Sequence, residues 1–280
     1  MSATLRTDLF PVPCSIEFSV NSVGKYADKL ALNSEILVAD YNTPFTIVKS
    51  NPFHLNTLKN GELMGAVACI AIPTPFLPMI TPLSVAKYLQ NTSLMGVVRS
   101  IGVKCDFGNN IPLPKFTALN GVVPSKRLAI HLQQEACVLH FKNEVINFRK
   151  VDDFFKQDEV LILASNSIVW FDSDKVRELT STAYTGVDTD GSTQVSENIT
   201  KGVRVSQKAG LDARQLKNLE KVLVLRGVAV QNFDMKLQAG EVVKIDGVKY
   251  VIITSAHYVN TGNLGSPSAT LTKIWIGKLK

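Results

Sequence analysis

The chain has 280 residues, with 30 Lys and Arg against 24 Asp and Glu and a formal net charge of +6. A hydrophobic fraction of 45% and a charged fraction of 19% exclude disorder over most of the length, because disorder needs few apolar groups and high charge. The 17 Gly and 12 Pro follow no period, which excludes collagen-like and low-complexity architecture.

The first 80 residues read as short strands. Ser15 to Val20 alternates, with Ile16, Phe18 and Val20 on one face. Ile36-Leu37-Val38 and Phe45 to Val48 are β-rich runs on either side of the turn-prone Asp40-Tyr41-Asn42-Thr43-Pro44. Ala27 to Leu32 is a short helix or strand piece. Leu63 to Ile72 is apolar throughout and predicts a strand buried on both faces. The prolines Pro73, Pro75 and Pro78 then predict an extended connector, and they interrupt the apolar stretch too soon for a membrane-spanning helix.

The middle opens at Thr81-Pro82, a helix-start signal, with Leu83, Ala86 and Leu89 at helical spacing through Gln90. Ser125 is placed to cap a second helix carrying Leu128, Ala129, Leu132 and Ala136. That helix runs directly into a strand, Cys137 to Phe141, and Lys142-Asn143-Glu144 turns it into a partner, Val145 to Phe148. A brief helix follows over Val151 to Phe155.

The last 120 residues return to strands. Val160 to Phe171 holds one or two, divided near Ser165-Asn166, and residues 184–200 read as a polar loop. Asp212 caps a helix bearing Ala213, Leu216, Leu219 and Leu223. Glu241 to Ile245 and Val248 to Ile253 flank Asp246-Gly247, a two-residue hairpin turn, and Leu271 to Ile276 is a final strand.

Little of this carries chemistry. His54, His131, His140 and His257 form no HxH, HExxH or HxxxH arrangement, and there is no GxSxG elbow, phosphate loop or dinucleotide fingerprint. His131 on a helix and His140 in the adjoining strand, with Glu135 between them, offer a catalytic arrangement, His131 with Glu135 above all, but structural or solvent-facing histidines are the better account. Cys14, Cys69, Cys105 and Cys137 include no CxxC, and Cys69 and Cys137 read as small buried hydrophobes. Asp188, Asp190 and Glu197 overlap a calcium-loop pattern whose first position would be Gly186, so a solvated turn is the better account. Basic residues are spread along the chain; Lys126-Arg127 and Arg149-Lys150 are the densest pairs. The N-terminus has no signal-peptide pattern, which predicts synthesis in a reducing cytoplasm.

Three stretches together resemble the central hub proteins of tailed phages and contractile injection systems, the family of late control protein D and of the hub half of valine-glycine-repeat spike proteins. They are Thr81-Pro-Leu-Ser-Val-Ala-Lys-Tyr-Leu, the segment from Pro124 to Phe141, and the segment from Ala239 to Val259. The resemblance implies a mainly β fold: β-barrel-like domains at 1–80 and 161–280 flank a helix–hairpin α+β domain at 81–160, with barrel strands open to exchange between segments. It also implies a structural virion protein of the tail or baseplate, without enzymatic activity or cofactor. Such a protein forms a homotrimeric, pseudo-sixfold ring between the tail tube and a spike or tip and contacts other baseplate proteins, with DNA only as passing cargo. No lysozyme domain or repeat-built spike accompanies the matched segments, so the tip would come from another chain. Pro75, Phe76, Leu77 and Pro78, together with loop 184–200, are the expected contacts with neighbouring subunits. A host-surface or carbohydrate-binding tail accessory and a basic nucleic-acid-associated protein are the alternative readings.

Overall fold

A computed structural model describes residues 1–22, 28–59, 62–171, 182–187, 190–196, 204–262 and 267–280. β1 (Ser2–Asp8) pairs with β2 (Cys14–Ser22), and a two-residue β3 (Glu35–Ile36) lies against the long β4 (Phe45–Lys59). β5 (Glu62–Pro73) runs between β2 and β4. Its apolar run is explained by that central position: Ala66, Val67, Cys69, Ala71 and Ile72 are all buried. Phe18 of β2 is buried in the same core, with Ile16 and Val20 against it.

The proline-rich connector is helical, not extended. Residues 74–76 form a 3₁₀ turn that continues as α1 (Leu77–Ile80), with Pro75 and Pro78 in first-turn positions, where a missing N–H costs nothing. Thr81 ends this helix and does not open the next: its N–H and its hydroxyl both donate to the Leu77 carbonyl, at 3.1 and 2.9 Å.

The helix expected over 83–90 is replaced by β6 (Lys87–Ser93), because non-local pairing overrides local spacing there. Leu83 is held by two backbone hydrogen bonds to Val122 and Gly121 before β6 begins. The true helix is α2 (Leu94–Ile101), capped by Ser93 Oγ accepting from the Gly96 N–H at 3.1 Å. After β7 (Asp106–Phe107), β8 (Pro112–Ala118) pairs with β6, setting Leu89 opposite Phe116. α3 (Pro124–Gln134) begins one residue before Ser125, with Pro124 at its first position and no side-chain cap, so Ser125 does not serve as one. Ala136, at φ 47, swings the chain into β9 (Cys137–Lys142). Asn143 and Glu144, at φ 51 and 62, turn it into β10 (Val145–Lys150), which also pairs with β7, and α4 (Val151–Phe154) follows. One core joins these elements to the first sheet, including Phe45, Phe76, Leu94, Phe116, Leu128 and Phe148.

β11 (Glu159–Leu163) and β12 (Ile168–Trp170) are separated by a short 3₁₀ turn at Ser165–Ser167, as the sequence suggests. Where a loop was expected, β13 (Thr182–Val187) pairs with β14 (Thr193–Val195) and β15 (Arg204–Gln207); residues 188–189 and 197–200 of that stretch lie outside the described residues. α5 (Ala213–Asn218) opens with a reciprocal cap between Asp212 and Gln215 and ends before Leu223, which starts β16 (Leu223–Gln231). The expected hairpin is present as β17 (Val242–Ile245) and β18 (Val248–Asn260), with Asp246 and Gly247 at φ 48 and 81, and β19 (Ala269–Leu279) completes the chain.

The architecture is mainly β with an α+β middle, but among the described residues its sheets do not close into two barrels. A single eleven-stranded sheet runs β12-β16-β19-β18-β1-β2-β5-β4-β3, with β17 beside the first part of β18 and β11 beside β17. The reason is β1, which bonds β2 on one edge and β18 on the other, Ser2 opposite Asn260 and Asp8 opposite Thr254. At the far end the sheet curls. β11 pairs with β17 and β12 with β16, and the two are joined by a few residues around Leu163, Ile168, Ile245, Ile252, Ile274 and Ile276.

Candidate assembly interface

Segment 73–80 is anchored through alternate positions. Phe76, with 0% of its surface exposed, meets Phe141 edge to face at 5.1 Å, and Met79 is likewise buried. The Thr74 N–H donates to the Pro44 carbonyl at 2.8 Å, and its hydroxyl lies 2.8 Å from that of Thr46. Phe76 is therefore committed to the core of its own chain and presents no surface. Pro75, Leu77 and Pro78 are half-buried in this turn, Leu77 packing part of its surface against the same core and leaving the rest exposed.

A second apolar surface lies where the sheet curls. Val160 and Ile162 share the outward face of β11, Ile162 with 70% of its surface exposed, and on β12 Val169 is 64% exposed, with Trp170 and Phe171 exposed beside it in sequence. The indole N–H of Trp170 points at Ser165, 3.2 Å from both its carbonyl and its hydroxyl oxygen, which fixes the ring. Among the described residues each of these strands has a single ladder partner, so each keeps a free edge. The cue in the sequence is the unbroken aliphatic run Val160-Leu161-Ile162-Leu163, which supplies apolar side chains to both faces of a strand with only one face in the core.

Glu135 and His257 are engaged structurally, whereas His131 and His140 each keep a buried ring nitrogen with no partner among the described residues. Glu135 does not pair with His131. It is 1% exposed and receives both terminal nitrogens of Arg214, the side-chain amide of Gln215 at 3.2 Å and, more distantly, Lys150 at 3.8 Å. Burial alone would raise its pKa, but the Arg214 and Gln215 hydrogen bonds and the two cations together hold it below the usual carboxylate range. His140 packs edge to face on Phe154, and burial, aided by Arg149 and Lys142, pushes it down to about 4. Its Nε2 faces Gly240, at φ 91, where any Cβ would come within 2.8 Å of the ring. His257 sits in the sheet, Nδ1 3.0 Å from the Thr272 hydroxyl, with its pKa lowered by burial. The side chain of His54 lies outside the described residues.

Burial pushes the thiols of Cys14 and Cys137 up to about 12 and raises those of Cys69 and Cys105, so none is activated as a nucleophile. Among the described residues no three His, Cys, Asp or Glu side chains converge as a metal site, and no helix is long and apolar enough to cross a membrane. Of the calcium pattern, Asp188 and Glu197 lie outside the described residues, and Asp190 accepts the Ser192 N–H at 2.8 Å.

No protein-family model matches the sequence, and no curated protein matches it. Solved structures do match the fold. A tail protein from Neisseria meningitidis MC58 aligns with a TM-score of 0.65 at 10% identity, over 99% of this chain and 91% of that one. A 43 kDa tail protein of prophage MuSo2 from Shewanella oneidensis gives 0.58 at 10% identity, over 98% and 91%. The E. coli c3393 protein gives 0.56 at 11% identity, over 99% and 72%; it is a type VI secretion component with structural similarity to the T4 tail proteins gp27 and gp5.

Proposed function

We propose that this chain is a structural component of a tail-like assembly, the central hub. In this reading three copies form a pseudo-sixfold ring joining a tail tube to a spike or tip supplied by another chain, and DNA crosses as cargo. The observation that carries the reading is the end-to-end match of fold, 99% of this chain against 91% of a tail protein, at an identity too low to reflect anything but architecture. The engaged state of Glu135 and His257 and the raised pKa of the thiols also support it, since a ring component needs shape and contact surfaces and no reactive group.

The free edges of β11 and β12 and the outer side of 75–78 are the contacts of this proposal. Exposed edges that pair with a neighbour cease to be an aggregation hazard and become a closed, symmetric contact. Light scattering on the purified chain should give three times the 30.6 kDa mass, with rings in negative stain. A monomer at every concentration, with no rings and no retention on tail tube or spike protein, would overturn the proposal.

A further inference from the structure

We propose that the cleft between β8, α3 and residues 209–215 binds a carboxylate carried on a short apolar stem. The cleft has a volume of about 620 Å³ and uses none of the residues assigned to the apolar contacts above. Its cations are Lys115 and Arg127. Arg127 is set in place by its own helix and sheet: Nε donates to the Thr117 carbonyl at 2.7 Å, and among the described residues neither terminal nitrogen of the fork has a hydrogen-bond partner. Fixing the guanidinium through Nε removes much of the ordering cost that a free surface arginine carries when it grips an anion.

Two polar atoms at this site lack partners. Thr117 Oγ1 and His131 Nε2 are both buried and have no hydrogen-bond partner among the described residues. His131 lies one helical turn beyond Arg127 and tilts against Phe116 at 5.2 Å. Burial, and then the charge of Arg127, lower its pKa, while Gln134 and Glu135 pull the other way. Unsatisfied buried groups are few in native proteins, and two in one cleft point to an occupant.

The charge balance selects its class. Asp212 stands in the cleft with Oδ1 accepting the Gln215 N–H at 2.7 Å and Oδ2 3.8 Å from Arg214, whose charge Glu135 already balances, so the lining holds two cations against one carboxylate and a surplus of a single positive charge. A singly charged carboxylate neutralises that surplus, whereas a phosphate dianion would be repelled by Asp212. Pro114, Val187 and Leu211 supply the apolar wall for the stem. A free small acid and an acidic side chain of another polypeptide share this chemistry.

The test uses the full chain with ¹³C-labelled histidine, the His131 signal being identified by its loss in His131→Asn. Acetate, N-acetylglutamate amide, phosphate and chloride are titrated at constant ionic strength. The expected result is a saturable shift of the His131 signal with both carboxylates, weaker with phosphate and absent with chloride. Arg127→Gln should raise the dissociation constant about tenfold with only a small fall in melting temperature from the lost Thr117 hydrogen bond, and Arg127→Lys should recover part of the affinity. Tighter binding of the glutamate amide assigns the carboxylate to a polypeptide, tighter binding of acetate to a free acid, and either order upholds the site. A His131 signal that moves no more with the carboxylates than with chloride overturns it and leaves a water-filled cleft, and a phosphate affinity above theirs overturns it in favour of a phosphate site.

Discussion

Glu135 shows how one residue ties distant parts of the chain. It ends α3, yet Arg214 and Gln215, which hold it, belong to α5 some eighty residues later, and Asn218 adds a bond to the Gln134 carbonyl at 3.1 Å. A buried carboxylate is stabilising only while its partners remain, and removing the charge strands two cations. Arg214 and Lys150 can still turn toward water, being 51% and 38% exposed, so Glu135→Gln is expected to cost about 2 kcal/mol at pH 7, below the range for fully enclosed pairs. The pH dependence follows from the lowered pKa. The folded carboxyl sits below its unfolded value of about 4.3, so the contribution is complete above that value and is lost as the pH falls through the folded one. Urea unfolding of the two proteins should therefore diverge at pH 7 and converge in acid; a gap of the same size at both ends of the range would refute the ionic account.

At the scale of elements, segment 74–80 separates burial from display within a few residues. Phe76→Ala empties a site closed on all sides by the core and should lower stability by about 3–5 kcal/mol, whereas Leu77→Ala trims a half-buried side chain and should cost about 1 kcal/mol. If the outer side of this turn is a subunit contact, Leu77→Ala should weaken the oligomer seen by light scattering more than it lowers the melting temperature. Equal stability losses would show that the turn does not hold Phe76 as described. Elements whose pairing is local were legible in the sequence. The Asp246-Gly247 hairpin, the α3–β9–β10 run and the Asp212 cap are each specified by residues within a few positions of one another. β6 was not legible, because Leu83, Ala86 and Leu89 have helical spacing and only the approach of β8 makes them strand and loop. The polar stretch 184–187 hid a strand for the same reason, since its partner β15 is contributed from beyond residue 203. The candidate contacts were half visible: prolines and apolar residues marked segment 73–80, but which side chains it buries depends on Phe141, contributed by the distant β9.

For the whole molecule the decisive strand is β1, whose partners are the next strand and one near the other end of the chain. No periodicity or turn signal encodes a ladder between Ser2 and Asn260, so the two β-rich ends read as separate barrels although they share one sheet. This has a measurable consequence. Arg6 lies mid-strand, opposite Ser15 on one side and Ala256 on the other, and its ion pair with Asp8 at 2.7 Å is peripheral to the ladder. Arg6→Pro removes a backbone donor from a strand paired on both edges and should cost about 2–3 kcal/mol. The protein's two tryptophans, Trp170 in β12 and Trp275 in β19 opposite Thr254, both lie on the C-terminal side of β1, so their fluorescence reports the C-terminal strands while far-ultraviolet circular dichroism reports the whole chain. In the unaltered protein the two signals should change together on heating, since β1 couples the ends through a continuous ladder. In Arg6→Pro the dichroism should fall first, as the N-terminal strands lose their link to β18, with the fluorescence transition following at higher temperature. Coincident curves in the variant, or separated ones in the unaltered chain, would mean that β1 does not carry the coupling and that the ends are held together through the shared packing of the α+β middle.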